Sequence, residues 1–194
     1  MPPPRPPPAP PVRSVRSTLL LSSRGALKGA SLFDDYEHHL KEETRTSLDG
    51  LIAGTWIPIG IAVEHYAACD ALGLARAQQA SLGRTNGERL SGTLLGTLAK
   101  LARNAGTTPI MLVEQFPRFW GRIFEGGSLA SRVTGPKDVE VTVCASPLLR
   151  SAYFRHGLGG TAESILGLVC TRLLVRVKRF GEAEGSATYL VQWV

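Results

Sequence analysis

Apolar and polar positions alternate most regularly in the last third of the chain. Val139, Val141 and Val143 interleave with Glu140, Thr142 and Cys144, and Leu173, Val175 and Val177 interleave with Arg172, Arg176 and Lys178. A Gly181–Gly185 turn leads to Ala187, Tyr189, Val191 and Trp193, which alternate once more. A period of two marks a strand with one face in a core. The pattern therefore predicts strands over 139–144, 172–179 and 187–193 in one antiparallel sheet. Two short helices are expected between the first and second, in the stretch from Ser146 to Leu158.

Upstream the period lengthens to that of a helix. Thr18–Ser22 reads as a short strand and Ala26–Lys28 as a single turn, followed by a polar helix over Asp34–Glu43 entered at Leu32 and Phe33, with Leu40 inward. Trp56-Ile57-Pro58 opens the next helix, since proline suits a first turn. There Ile57, Ile61, His65, Ala68 and Leu72 share a face. Ala75–Ser81 reads as helical, with a break expected over Gly83–Gly87 because Asn86-Gly87 is a turn signal. Leu90, Leu94, Leu98 and Leu101 form a further stripe, closed by Gly106 behind Lys100 and Arg103. Thr108-Pro109 starts a helix carrying Val113, Phe116, Trp120 and Ile123, which Pro117 must kink or split. Helices first and strands afterwards indicate α+β: a helical layer on a C-terminal antiparallel sheet built as strand, helix pair and strand hairpin.

Length and composition fit one such domain over 17–194. The chain has 194 residues, 43% of them hydrophobic, which suffices for one core. Residues 1–16 are dominated by proline and predict a disordered or extended tail without core contacts. The formal charge of +6 suggests nucleic acid, but Arg5, Arg13 and Arg16 in that acid-free tail account for half of it. Three scattered cysteines, Cys69, Cys144 and Cys170, encode neither a zinc ribbon nor a redox pair. With no apolar run of about 20 residues to cross a bilayer, the expectation is a cytoplasmic protein without a membrane partner.

Candidate chemistry is sparse. His65 and Cys69 lie four apart on one helix face and would need a third ligand to hold zinc. The competing reading is a hydrogen-bonded histidine in a core stripe. Gly83–Arg89 lacks the Gly-Lys-Ser/Thr ending of a phosphate loop and reads as an interhelical turn. Phe116, Phe119, Trp120 and Phe124 interleave with Arg118 and Arg122, a mixture that can stack bases, but helical spacing favours a core face bordering a ligand cavity. Arg172, Arg176, Lys178 and Arg179 make one strand basic, and pairing with Glu140 across the sheet is preferred to a phosphate-binding face. No catalytic motif is present.

The order of strand, Ser146–Leu158 segment, helix and final strand pair resembles the closing half of heme-NO/oxygen-binding and four-vinyl-reductase-like sensory domains. Trp56-Ile57-Pro58 and Trp193 look like an uncharacterised bacterial family of that superfamily. In heme-NO/oxygen-binding domains a Tyr-x-Ser-x-Arg element holds the heme propionates. Arg155 matches its arginine, but Ser151 and Tyr153 stand where the family has tyrosine and serine. The family's iron-binding histidine lies about one helix upstream, and here no histidine occurs between His65 and His156. The resemblance thus implies the fold with the heme motif largely lost and no cofactor. It points to a non-catalytic domain that senses a small ligand or interacts with a protein, as a partner or a second copy. The alternatives are an enzyme acting on a small hydrophobic substrate and a nucleic-acid-binding protein using the basic strand. Phe116, Trp120, Leu148, Phe154 and Arg155 are the candidate pocket residues for a small apolar ligand.

Overall fold

The computed structural model describes residues 8–91, 106–183 and 185–194. Its C-terminal half is a four-stranded antiparallel sheet in the order β4-β5-β7-β6. β4 spans Ser128–Gly135, β5 Asp138–Cys144, β6 Leu173–Gly181 and β7 Ser186–Trp193. Three of these are the strands the alternation predicts. In register, Val139 faces Val191, Val141 faces Tyr189, and Val175 also faces Val191. β4 carries a weaker alternation and went unpredicted. Between β5 and β6 lie a 3-10 turn at Pro147–Arg150 and one long helix, Ala152–Leu166, in place of two short ones.

The helical half opens differently from the sequence expectation. The tail expected to lack core contacts through residue 16 is fully engaged from Val12 onward. Val12 and Val15 are buried, and β1, Ser14–Arg16, is the middle strand of a second sheet, β2-β1-β3. Its partners are β2, Trp56–Pro58, and β3, Phe124–Glu125. Prolines cannot donate to a ladder, but their carbonyls can accept, and Gly127 N donates to Pro10 O at 2.7 Å. Gly126 has φ +92°, and a Cβ there would lie 2.4 Å from Pro11 O, so only glycine fits this approach. Residues 1–7 lie outside the described residues.

Thr18–Ser22 is not a strand but part of α1, Ser17–Gly29. A short apolar run is ambiguous between the two states, and Leu19, Leu20, Ser23, Ala26 and Leu27 resolve it by forming one buried helical face. The polar helix divides into α2, Phe33–His38, and α3, Glu42–Asp49. Arg24 pins both, donating to Leu48 O, Asp49 Oδ1 and Glu37 Oε1 at 2.9, 2.6 and 3.3 Å. Pro58 is extended and belongs to β2, so α4 runs from Ile59 to Ala71.

α5, Arg76–Ser91, passes unbroken through Gly83 and Gly87, where a turn was expected. The glycines serve a helix crossing instead. α5 and the Ala152–Leu166 helix make the most extensive contact between elements in the described structure. A Cβ on Gly83 would lie 2.0 Å from Gly157 O, and one on Gly160 would lie 1.9 Å from Ala80 O. The backbones touch, as small residues permit. The stripe expected from Leu90 through Leu94, Leu98 and Leu101 continues outside the described residues, and Leu90 itself is buried. α6, Pro109–Glu114, and α7, Phe116–Ile123, confirm the split at Pro117. The long helix is α8.

Candidate functional site

α7 packs beside β4 of the four-stranded sheet, α8 packs on β6, and the two helices border a common space. Phe116, Trp120 and Ile123 fall on one side of α7, with Phe119 adjacent. They face Leu158, Ala162 and Ile165 of α8 and the inward residues Val141, Val143, Val175 and Val191 of the sheet. These walls line a partly open apolar cavity of about 90 Å³. Its size is of the order of the roughly 150 Å³ apolar cavities that stay dry and take up benzene or xenon.

The few polar groups in the walls are already committed. Trp120 Nε1 donates to Gly126 O at 3.0 Å, Thr161 Oγ1 to Gly83 O at 3.0 Å, and Tyr189 Oη to Arg155 O at 2.9 Å. Burial pushes the Tyr189 phenol well above its ordinary pKa, so it stays protonated and keeps donating. Trp120 is stacked on Phe124 with ring centroids 4.1 Å apart, which fixes the wall between the two sheets. The cavity can recognise shape and apolar surface, and among the described residues no ionisable carboxylate, imidazole, amine or thiol lines it.

Of the residues singled out from sequence, Phe116 and Trp120 meet in this cavity. Phe154 borders a smaller neighbouring void of about 50 Å³, which shares Ile123, Phe124, Leu158 and Thr161 with it. Leu148 is packed fully inside the core. Arg155 sits elsewhere: its guanidinium donates to Leu149 O at 2.6 Å, lies 4.0 Å from the Phe180 ring centroid and lines an outer cleft. Ile123, Leu158, Ala162 and Ile165 were missed as pocket residues. Ile123 belonged to the predicted apolar stripe, whereas the face of α8 depends on a helix start at Ala152 that the sequence did not reveal.

His65 is buried in the helical half and does not join a metal cluster. Its Nδ1 lies 2.6 Å from Tyr36 Oη and its Nε2 lies 3.0 Å from Ser23 Oγ, with Cys69 Sγ at 3.8 Å. Desolvation, helped by the Arg24 charge, lowers its pKa to about 3, so the ring is neutral at ordinary pH. Among the described residues no group of three or more His, Cys, Asp and Glu side chains is placed to hold a metal. Of the basic strand only Lys178 meets Glu140 among the described residues, and the second cation on that carboxylate comes from β4. Lys178 Nζ and Arg132 Nη2 both bind the buried Glu140 carboxylate, the latter at 2.7 Å. No helix among the described residues is long and apolar enough to cross a membrane.

An α+β domain with a helical half against a four-stranded sheet, and a cavity between them, has the H-NOX fold. Solved structures bear this out. An H-NOX protein mutant from K. algicida in its Fe(II) unliganded form superposes with a TM-score of 0.68 at 7% identity, over 92% of this chain and 96% of that one. An oxygen-binding H-NOX domain related to soluble guanylate cyclases gives 0.62 at 13% identity, over 92% and 94%. A mutant T. Tengcongensis H-NOX also gives 0.62, at 12% identity, over 92% and 97%. No family model matches the chain. No curated protein matches it by sequence.

Proposed function

We propose that this chain is a non-catalytic sensory domain that takes a small apolar ligand directly into the cavity between α7, α8 and the sheet, without heme. The observation that carries the reading is a wall of carbon whose three polar groups are all bonded to backbone carbonyls. The structural neighbours include a domain described as oxygen-binding, which supports a small-ligand role.

Neither His65 nor His156 is placed to hold a heme iron in the cavity. Iron needs an axial donor with a free lone pair. His65 has both ring nitrogens engaged by Tyr36 and Ser23. His156 lines the outer cleft and not the apolar cavity. Residues 92–105, outside the described residues, contain no His, Cys, Met or Tyr. An enzyme reading has no comparable support: the Ser23–His65–Tyr36 chain is sealed from solvent, each residue being 2% exposed or less. The nucleic-acid reading loses Lys178, whose charge is spent on Glu140.

The test is uptake of benzene or xenon, followed by methyl NMR of Val141, Val143 and Val175. Saturable binding that disappears in Ala162→Leu, which fills the cavity, is the expected result. A hemin titration run alongside should give only weak, substoichiometric absorbance. A sharp Soret band at one heme per chain, lost in His65→Ala, would overturn the proposal.

A further inference from the structure

Val175 and Tyr189 are walls with two sides. Behind them, away from the apolar cavity, lies an open cleft of about 620 Å³ between the first turns of α5 and α8 and the edge strand β6. That is within the range of sites for metabolite-sized ligands. Two arginines and a histidine line it, Arg76 from α5 and Arg155 and His156 from α8, while Arg176 of β6 alternates with Val175 and Val177 and projects from the opposite face of the sheet. Among the described residues no acidic side chain lines it.

The cations are uncompensated in different ways. Arg155 is held in place by Leu149 O and by the Phe180 ring beneath it. Arg76 is exposed and makes no ion pair among the described residues. The nearby carboxylates are occupied. Asp70 Oδ1 accepts from Tyr153 N at 2.7 Å, and Glu163 is bound by Arg84 at 2.7 Å and by Val175 N at 3.2 Å. The His156 ring registers the surplus: burial first, then the charges of Arg155 and Arg76, lower its pKa against an opposing pull from Asp70. Concave walls of one charge focus potential on their interior. The floor is apolar and aromatic, from Val177, Phe180 and Tyr189.

The geometry points to a second ligand site, distinct from the apolar cavity and independent of its proposed use, which binds a small organic anion: a carboxylate or phosphate monoester on an apolar body. The anionic group meets the guanidiniums, where charge-assisted bonds are strongest, and the body lies on Val177 and Phe180. A wholly polar anion would leave that floor uncovered, and a neutral ligand would leave Arg76 unanswered.

The test uses three probes with one ring system: 1-naphthoate, 1-naphthyl phosphate and neutral 1-naphthamide. Binding to the full chain is measured by calorimetry and located by methyl shifts of Val177. The anions should bind with shifts at Val177, and the amide about tenfold more weakly or worse. The ratio of the two anions identifies the preferred head group. Arg76→Ala, at an exposed position, should weaken the anions by about tenfold or more while leaving the amide unchanged. Arg118→Ala, on exposed surface elsewhere, should leave all three as they were. Equal binding of amide and carboxylate, unchanged anion binding in Arg76→Ala, or no binding of any probe each overturns the proposal. Benzene uptake blocked by Ala162→Leu with naphthoate binding retained would separate this site from the apolar cavity.

Discussion

Gly160→Ala tests whether the α5–α8 crossing needs backbone contact. The added Cβ would lie 1.9 Å from Ala80 O, 2.8 Å from its carbonyl carbon and 3.0 Å from Arg84 N, all backbone atoms that no rotamer change can move. Restoring an ordinary contact requires the helices to part by about 1.5 Å, and a gap of 0.5–1 Å already forfeits roughly a quarter to a half of a dispersion well. Overpacking costs about 1–3 kcal/mol, and the loosened crossing places this site at the upper end. Alanine's better helix propensity returns about 1 kcal/mol. A net loss of about 2 kcal/mol should lower Tm by roughly 4–8 °C in a chain of this size. Gly60→Ala is the matched control, because its Cβ would meet nothing within 4 Å on α4, and it should raise stability by about 0.5–1 kcal/mol. Urea unfolding followed by Trp fluorescence measures both. Gly160→Ala as stable as the parent, with Gly60→Ala behaving as expected, would refute the contact argument.

Other outcomes follow from the same structure. His65 should show no imidazole titration by NMR between about pH 7.5 and pH 4.5, because its folded pKa is lowered to about 3. Its contribution to stability is full above the unfolded value near 6.5 and is lost as pH falls toward 3; a midpoint near 6.5 would refute the buried placement. Glu140 is held below the ordinary carboxylate range, first by the hydrogen bond from Lys178 and then by Arg132, against burial. Its stabilisation should be present above about pH 4.5 and fade below it, and Glu140→Gln should flatten that acid limb in chemical denaturation. Val15→Ala should cost about 2 kcal/mol, as for other fully buried apolar truncations, whereas a change near zero would mean β1 does not pack as described.

The strands were legible because one face of each is buried and the period of two survives in Val139–Val143 and Ala187–Trp193. β4 was not, because Ser128, Ala130 and Ser131 give it little apolar contrast and most of its residues are only half-buried. The turn expected at Asn86-Gly87 failed for a tertiary reason. Glycine marks both a turn and a close helix contact, and only the position of α8 separates them. Half of the cavity was readable for the same reason the strands were. Phe116 and Trp120 carry helical spacing, but Arg155 was assigned without knowing where α8 begins, which turns it to the cleft, and Leu148 sits in the 3-10 turn before α8, packed in the core.

β1 also sets an order of assembly. It is made early, yet its partner β3 lies more than half the chain further on. Until Phe124 and Glu125 exist, Ser14–Arg16 has β2 on one edge and nothing on the other. Long-range pairing of this kind is slow to close, and an unpaired edge invites wrong partners. The prolines just before it limit that exposure, since Pro8, Pro10 and Pro11 have no N–H with which to extend a mistaken ladder. Locked near one φ, they also lose less conformational entropy when Pro10 finally receives Gly127. A segment whose composition suggests an idle tail thereby acts as a strand kept straight and inert until its last neighbour arrives.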